Sequence, residues 1–393
     1  MTKTKRFQNA LVSLLEVSDE LPANEVVRVV QLAGELLGAS SARMLVADYG
    51  LTSLQPLGDD GSTSTRQAIG GTLAGRCFER GEIVVSGDDP ALVLVPLSEG
   101  SERLGVFEFV HPNWNEEARE LLDSIARVLV LVLVSKRRYT DVVQRSRRTQ
   151  SLEIAAEMQW DLLPPLTCAT RCVSVSGILE PAYSIGGDSF DYAINPRGIE
   201  FAVIDAVGHG MSAVLMSVAA ITALRNSRRE GLSLEAAYHA AGQVIEQQFG
   251  HSNFVTAQTG LLAFDSGELT WLNAGHPLPL LVREGKYIGQ LTCEASWPLG
   301  LGGDVREIAT QRLQPGDRVL FFTDGVIEAK SASGEDFGVP RLADFLVRAS
   351  LDQLSQAETA RRLSASVLAH NGATLNDDAS LLLLDYHGHS ELA

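Results

Sequence analysis

Aspartates next to short apolar runs are the feature that most constrains this chain. Asp205 ends the run FAVID, Asp324 ends VLFFTD, Asp377 and Asp378 precede ASLLLL, and Asp188 follows two glycines. Apolar runs of this length predict buried strands, so these carboxylates are expected at the rim of a sheet, partly removed from water. Carboxylates that converge there would repel one another unless a cation neutralised them.

The chemistry of the side chains indicates which ion such a site would take. Hard oxygen ligands on short side chains suit Mg²⁺ or Mn²⁺ better than zinc. One Asp-Gly pair after a strand is usually no more than a turn. The prediction of a metal site therefore depends on the combination and order of the motifs.

In that order, the motifs resemble one known family. From residue 150 to residue 388 the chain resembles the SpoIIE-type branch of the PPM metal-dependent protein serine/threonine phosphatases. The stretches that carry the resemblance are EMQWDLLPP (157–165), GGDSFDY (186–192), VIDAVGHGMSAVLMS (203–217), FVTAQTGLLAFD (254–265), LNAGHPLPLL (272–281), PLGLG (298–302), LQPGDRVLFFTDGVIEA (313–329), GEDFG (334–338) and NDDASLLLL (376–384).

This resemblance implies a fold and a set of metal ligands. The fold is an α-β-β-α sandwich with two ions, Mn²⁺ or Mg²⁺, at one edge. Asp205 would bridge the ions, and Asp188 and the backbone carbonyl of Ala206 would serve one of them, while Asp324 and Asp377 would hold the other. Asp188 and Asp205 are also the expected catalytic residues, because two such ions activate water for direct attack on phosphorus.

Some positions in these motifs leave a choice open. Asp377 is preferred to Asp378 because of its place in the Asp-Asp-x-Ser ending. His209 and His276 could each be a general acid or a structural residue, and the structural role is favoured. The family often has Val-Ser where this chain has Ala206 and a valine, but a backbone carbonyl does not depend on the side chain.

The domain organisation is predicted to be α+β, in four segments. These are an N-terminal helix over 1–20, an α/β sensor domain over 21–135, a helical linker over 136–165 and the phosphatase sandwich over 166–388. The sensor region more loosely resembles a GAF domain, in GTLAGRCFERGEIVV (71–85) and ALVLVPLSEGSERLGVFEFV (91–110). Nothing in that region indicates a catalytic residue or a particular ligand.

The first part of the linker is rich in basic residues, although the chain as a whole is acidic. Residues 136–148 contain six basic residues and one acidic residue, which indicates either a solvated helix face or a docking or signalling helix. Roughly heptad spacing of apolar positions also predicts a parallel homodimer seam. Those positions are Ile125, Leu129, Val132, Tyr139 and Val143.

Charge and composition restrict the partners and the compartment. The formal net charge of −17 disfavours nucleic acid. The longest apolar run, 128–134, is far shorter than the ~20 residues needed to span a bilayer, so no membrane partner is predicted. Four cysteines without a CxxC pair indicate reduced thiols in a bacterial, cytoplasmic protein.

The sequence therefore predicts a metal-dependent protein serine/threonine phosphatase regulated by its N-terminal domain. For this branch, the resemblance implies that the phosphorylated protein substrate is a small anti-sigma-factor antagonist. One alternative is a catalytically silent sensor or scaffold, which the loss of a metal aspartate would have favoured. Another is a nucleotide cyclase, suggested by Gly-Gly-Asp-x-Phe at 186–190 but without the rest of that pattern.

Overall fold

The chain folds into two compact units, Met1–Ser151 and Leu152–Ala393. The structure, a computed structural model, describes residues 3–58, 66–87, 90–112, 114, 119–181, 183–184, 186–372, 375 and 377–388. Within these ranges, no helix is both long enough and apolar enough to cross a bilayer.

The first unit is built on one antiparallel sheet of six strands, in the order β3-β2-β1-β6-β5-β4. Its strands are β1 Ser41–Ala47, β2 Ser53–Pro56, β3 Gln67–Ala68, β4 Val84–Ser86, β5 Ala91–Glu99 and β6 Glu102–His111. Its helices are α1 Lys3–Glu20, α2 Val26–Leu37, α3 Leu73–Arg80, α4 Arg119–Lys136 and α5 Val142–Arg147. One apolar core lies between the sheet and α1, α2 and α4, and a smaller core lies between the opposite face and α3.

Alternation along β1 explains why both faces of this sheet are covered. Met44 and Val46 belong to the larger core, Leu45 and Ala47 belong to the smaller one, and all four are buried. Successive side chains of a strand point to opposite faces. The part of β1 that is apolar at every position, 44–47, must therefore be packed on both sides, and the helices provide that packing.

The predicted linker over 136–165 is not a separate element. Its first part forms α5, which packs on β1 and β2 of the first unit and buries Val143. Its second part forms α6, Ile154–Leu162, which buries Ala155 and Ala156 in the second unit. The apolar residues of each part are thus used by the neighbouring core, and the boundary lies after Ser151.

The predicted dimer seam is wrong for the same reason. Ile125, Leu129, Val132 and Val143 are buried in the core of the first unit, and only Tyr139 is exposed, at 79%. A helix that packs one face on a sheet has nearly the same apolar spacing as a coiled coil. While the first unit keeps this fold, these residues cannot contact a second copy.

The second unit contains two antiparallel sheets, β15-β12-β11-β10-β9 and β14-β13-β16-β17-β8-β7. Its strands are β7 Thr167–Ala169, β8 Val173–Glu180, β9 Ser189–Asn195, β10 Gly198–Ala206, β11 Val255–Ala263, β12 Glu268–Ala274, β13 Leu280–Arg283, β14 Lys286–Gln290, β15 Ala309–Arg312, β16 Arg318–Phe322 and β17 Ala379–Tyr386. Its helices are α6, α7 Met211–Arg229, α8 Leu234–Phe249, α9 Asp324–Glu328, α10 Gly338–Leu351 and α11 Gln356–His370.

Three apolar cores divide the second unit into four layers. The central core lies between the sheets, where the rings of Phe201 in β10 and Phe321 in β16 are 4.5 Å apart. A second core joins α7 and α8 to the five-stranded sheet, and a third joins α9, α10 and α11 to the six-stranded sheet. The α+β class is confirmed, and this unit has the predicted α-β-β-α layering.

Candidate metal centre

The candidate site lies at one edge of the sandwich. Asp205 stands near the end of β10, and its neighbour Ile204 pairs with Ser189 at the start of β9. Asp188 directly precedes Ser189. Strand pairing within the five-stranded sheet therefore brings Asp188 next to the end of β10.

The six-stranded sheet supplies the other acids at the same edge. Thr323 directly follows β16, and its N–H donates to the Ser380 carbonyl of β17 over 3.0 Å. Asp324 is the first residue of α9, and Asp377 and Asp378 directly precede β17. Asn376, which opens the same motif, lies outside the described residues.

Asp188 is the most deeply buried of these acids, at 2% exposure. Burial raises its pKa well above the usual value, and the negative charges of Asp205, Asp378 and Asp324 raise it further. The Thr323 hydroxyl donates to the Asp188 carboxylate over 2.5 Å, which opposes the rise. Asp188 is thus easily ionised only when positive charge is near.

The pKa of Asp205 is raised for the same two reasons, burial and neighbouring negative charges. Burial raises its pKa to about 7, and the charges of Asp324, Asp377 and Asp378 contribute in that order. Asp324 also has a raised pKa, first because of burial and then because of Asp377. The aspartates predicted from separate motifs therefore form one interacting cluster.

The two neighbouring aspartates before β17 differ in their surroundings. Asp377 is exposed, and its charge acts on both Asp324 and Asp205. Asp378 is buried, and burial raises its pKa to about 6. Hydrogen bonds from the backbone N–H groups of Asp188, Gly186 and Gly187 oppose that rise. Asp378 therefore contacts the turn at 186–188 as well as acting on Asp188 and Asp205, whereas Asp377 acts on Asp324 and Asp205 from an exposed position.

The turn at 186–188 is packed so closely that its glycines have no room for a side chain. A Cβ on Gly187 would lie 2.2 Å from the carbonyl oxygen of Ala206, and a Cβ on Gly186 would lie 2.4 Å from an oxygen of Asp378. The carbonyl oxygen of Gly187 also accepts a 3.2 Å hydrogen bond from the N–H of Ala206. Ala206 is thereby fixed beside the turn that carries Asp188.

The two histidines have different environments. His209 is exposed between Gly208 and Gly210, both of which have positive φ, at 92° and 72°. His276 is buried, and burial lowers its pKa to about 3, so it is neutral at physiological pH. Its backbone N–H donates to the side-chain oxygen of Asn273 over 2.7 Å. These contacts indicate that His276 has a structural role.

The donor set fits a divalent ion in kind. Carboxylate oxygens and one backbone carbonyl are the ligands that Mg²⁺ and Mn²⁺ prefer, and bound cations would relieve the repulsion that raises the pKa values. The side chains are not, however, gathered around one ion position. In the described part of the chain, no three His, Cys, Asp or Glu side chains are grouped closely enough to hold one ion.

Sequence reasoning missed three residues that hold the site together. Gln159 donates to the carbonyl oxygens of Gly186 and Asp188, and Ser217 donates to that of Gly187. The third is Thr323, which contacts the Asp188 carboxylate. All three lie inside the motif stretches that carry the family resemblance, but a donor to a distant backbone carbonyl or carboxylate has no sequence signature of its own.

A sandwich of this layering with an aspartate cluster at one edge is the arrangement that the resemblance to the PPM phosphatases implied. Residues 195–387 match the family model described as Stage II sporulation protein E (SpoIIE). Phosphoserine phosphatase RsbU of Bacillus subtilis (strain 168) is 24% identical over 296 residues, which cover 71% of this chain and 83% of RsbU.

Two further relatives match over shorter regions. Protein IcfG of Synechocystis sp. is 22% identical over 224 residues, which cover 50% of this chain and 35% of IcfG. The crystal structure of the RsbU and RsbW domains of Rv1364c from Mycobacterium tuberculosis is 25% identical with a TM-score of 0.50, and the match covers 58% of this chain and 64% of that one. Residues 195–387 of the second unit thus match a PPM-type serine/threonine phosphatase domain of the SpoIIE family, and the chain is related to RsbU.

Proposed function

We propose that the second unit removes phosphate from a phosphoserine or phosphothreonine of a partner protein, with two Mn²⁺ or Mg²⁺ ions bound at the aspartate cluster. The proposed ligands are the carboxylates of Asp188, Asp205, Asp324 and Asp377 and the backbone carbonyl of Ala206. The observation that carries the proposal is the convergence of acids from both sheets at one edge, where burial and three neighbouring carboxylates raise the pKa of Asp205 to about 7. Acids that resist ionisation in one another's presence are stabilised by bound cations.

The surroundings of each acid support its proposed role. The charges of Asp324 and Asp377 both act on Asp205, as expected of a ligand shared between two ions. Asp188 interacts most strongly with Asp205, which supports placing these two at the same ion. When bound, two such ions would activate water and stabilise the charge of phosphoryl transfer. The chain itself supplies oriented carboxylates, and no thiol or hydroxyl nucleophile is required.

The proposed substrate is a small anti-sigma-factor antagonist phosphorylated on serine or threonine. The similarity to the phosphoserine phosphatase RsbU, over 71% of this chain, supports this choice. The net charge of −17 is also better suited to a protein substrate than to a nucleic acid. A bacterial, cytoplasmic location belongs to the same proposal.

The first unit is proposed to be a GAF-like sensor that regulates the phosphatase. A six-stranded antiparallel sheet with helices on both faces supports this assignment. The apolar residues of both faces are already used in packing against helices. Signal transfer would therefore begin with movement of elements rather than with exposure of a new apolar surface.

The test is phosphate release by the full-length protein from an antagonist protein phosphorylated on serine. We expect release with Mn²⁺ and none with EDTA, and no release from a matched phosphotyrosine peptide. Asp324→Asn should need more Mn²⁺ than the wild type. Release of phosphate at the same rate in EDTA would contradict the metal-dependent mechanism, and no release under any condition would favour the silent scaffold.

A further inference from the structure

Gln159 is a completely buried glutamine on α6, the first helix of the second unit. Its side-chain amide nitrogen donates to the carbonyl oxygen of Asp188 over 2.5 Å and to that of Gly186 over 3.2 Å. Both N–H bonds of the amide are therefore directed at the backbone of one turn. That turn carries the Asp188 carboxylate.

Packing alone does not explain an amide at this position. The Oε1 atom of Gln159 is buried and has no hydrogen-bond partner among the described residues. A buried acceptor without a partner costs about 1–3 kcal/mol, which an apolar side chain of similar size would avoid. The two donated hydrogen bonds are the feature that an apolar side chain could not supply.

The turn depends on donors from several elements, and Gln159 is the one that comes from α6. Ser217 of α7 and the N–H of Ala206 in β10 both donate to the carbonyl oxygen of Gly187. Gln159 donates to the carbonyl oxygens on either side of Gly187. The position of α6 is thereby connected to the backbone of residue 188.

The C-terminal end of α6 is fixed in turn by a buried ion-pair network. The guanidinium of Arg225 donates to the Leu162 carbonyl over 2.6 Å and to the Asp191 carboxylate over 2.9 and 2.6 Å. Arg228 donates to the other oxygen of Asp191 over 2.9 Å. Asp191 lies on β9, three residues after Asp188. Helix α6 is therefore tied to the start of β9 at two points.

From these contacts we infer that Gln159 is the positioning residue for Asp188, and that α6 is the element through which the metal affinity of the site is set. This inference rests on the proposed function, because it assigns Asp188 to a metal ion. Residues that orient metal ligands typically change metal affinity by about 10–100-fold when they are replaced. Since α6 begins at Ile154, just after the boundary between the units, a small displacement of this helix would act on the turn at 186–188.

The experiment compares Gln159→Met with Gln258→Met in the full-length protein. Gln258 is a matched control, because it is also completely buried, donates to one backbone carbonyl, that of Pro277, over 2.8 Å, and has an Oε1 without a partner in the described chain. Mn²⁺ binding is measured directly by electron paramagnetic resonance of the free ion. The Mn²⁺ concentration for half-maximal hydrolysis of a phosphoserine peptide, kcat at saturating Mn²⁺ and the thermal unfolding curve are measured in parallel.

We expect Gln159→Met to weaken Mn²⁺ binding by about tenfold or more, with kcat at saturating Mn²⁺ within about twofold of the wild type. Gln258→Met should lose comparable thermal stability without a change in Mn²⁺ binding. Unchanged Mn²⁺ binding in Gln159→Met, or an equal shift in both variants, would overturn the role of Gln159. Wild-type protein that binds no Mn²⁺ would instead overturn the proposed function itself.

Discussion

The Thr323 hydroxyl donates a 2.5 Å hydrogen bond to the carboxylate of Asp188. Thr323 follows β16 of one sheet and Asp188 precedes β9 of the other, so this bond joins the two sheets at the edge where the acids meet. The same oxygen of Thr323 accepts a 2.8 Å hydrogen bond from the N–H of Ser380. One buried hydroxyl thus orients an acid and holds the start of β17.

Replacing Thr323 by valine should therefore weaken metal binding as well as folding. The Ser380 N–H loses its acceptor, which costs about 1–3 kcal/mol. Asp188 also loses a donor that lowers its pKa, so it ionises less readily. We expect a higher Mn²⁺ requirement in a titration of phosphatase activity, and recovery in Thr323→Ser.

The control for that change is Thr359→Val. Thr359 is equally buried, and its hydroxyl accepts from Arg318 over 3.2 Å, away from the aspartate cluster. It should lose stability without any change in Mn²⁺ requirement. An equal change in both variants would mean that Thr323 acts only through stability.

Asp377 and Asp378 should respond differently to asparagine. Asp377→Asn should change the free energy of unfolding by no more than about 0.5 kcal/mol, because Asp377 is exposed, yet it should weaken Mn²⁺ binding strongly. Asp378→Asn keeps an oxygen for the N–H groups of the 186–188 turn and should bind Mn²⁺ better than Asp377→Asn. Isothermal titration calorimetry with Mn²⁺ compares the two variants. Weaker binding by Asp378→Asn than by Asp377→Asn would identify Asp378 as the ligand.

The raised pKa of Asp205 predicts a pH dependence of stability without metal. A carboxyl group whose pKa is higher in the folded chain binds more protons when folded, so its contribution to stability falls as the pH rises. For Asp205 the window runs from 3.8, its usual value, to about 7. In EDTA, Asp205→Asn should raise the unfolding temperature relative to the wild type, and more so at about pH 8 than at about pH 5.

Differential scanning calorimetry at both pH values provides this comparison. The variant also controls for other titrating groups, such as His276, because they are present in both proteins. A stabilising effect of Asp205→Asn that is the same at both pH values, or that decreases as the pH rises, would contradict the electrostatic cluster.

Leu129 should prove to be a core residue and not a dimer contact. Leu129→Glu places a charge in the core of the first unit and should lower its stability by at least about 3 kcal/mol. Tyr139→Glu, at a position 79% exposed, should have little effect. Urea unfolding measures the stability, and sedimentation measures the mass. A folded Leu129→Glu protein with a reduced mass in solution would instead support a dimer interface at Leu129.

The sequence indicated that these acids would lie together, because their signal is local. Each aspartate stands next to an apolar run, and the pairing of those runs places Asp188 beside the end of β10. Gln159, Ser217 and Thr323 could not be recognised in the same way, because their partners, two backbone segments and the Asp188 carboxylate, lie 27 to 135 residues away. Ordinary polar residues acquire such roles only through tertiary contacts.

The linker prediction failed for a different physical reason. Apolar residues such as Ile125 and Leu129 repeat at a helical spacing, and that spacing does not specify whether a sheet of the same unit or a second chain covers them. The first unit has a sheet face available, and α4 packs on it. Prolines 164 and 165 correctly marked the end of a helix, but that helix is α6, a part of the phosphatase unit.

The central claim is that the aspartate cluster binds two catalytic ions and that Asp205 is shared by both. The most direct measurement is the number of Mn²⁺ ions bound per chain, obtained by titration calorimetry, together with phosphate release from a phosphoserine protein. We expect two ions and Mn²⁺-dependent release for the wild type, and loss of both binding and release for Asp205→Ala. Asp205→Ala protein that remained folded and kept near-wild-type Mn²⁺-dependent activity would contradict the account.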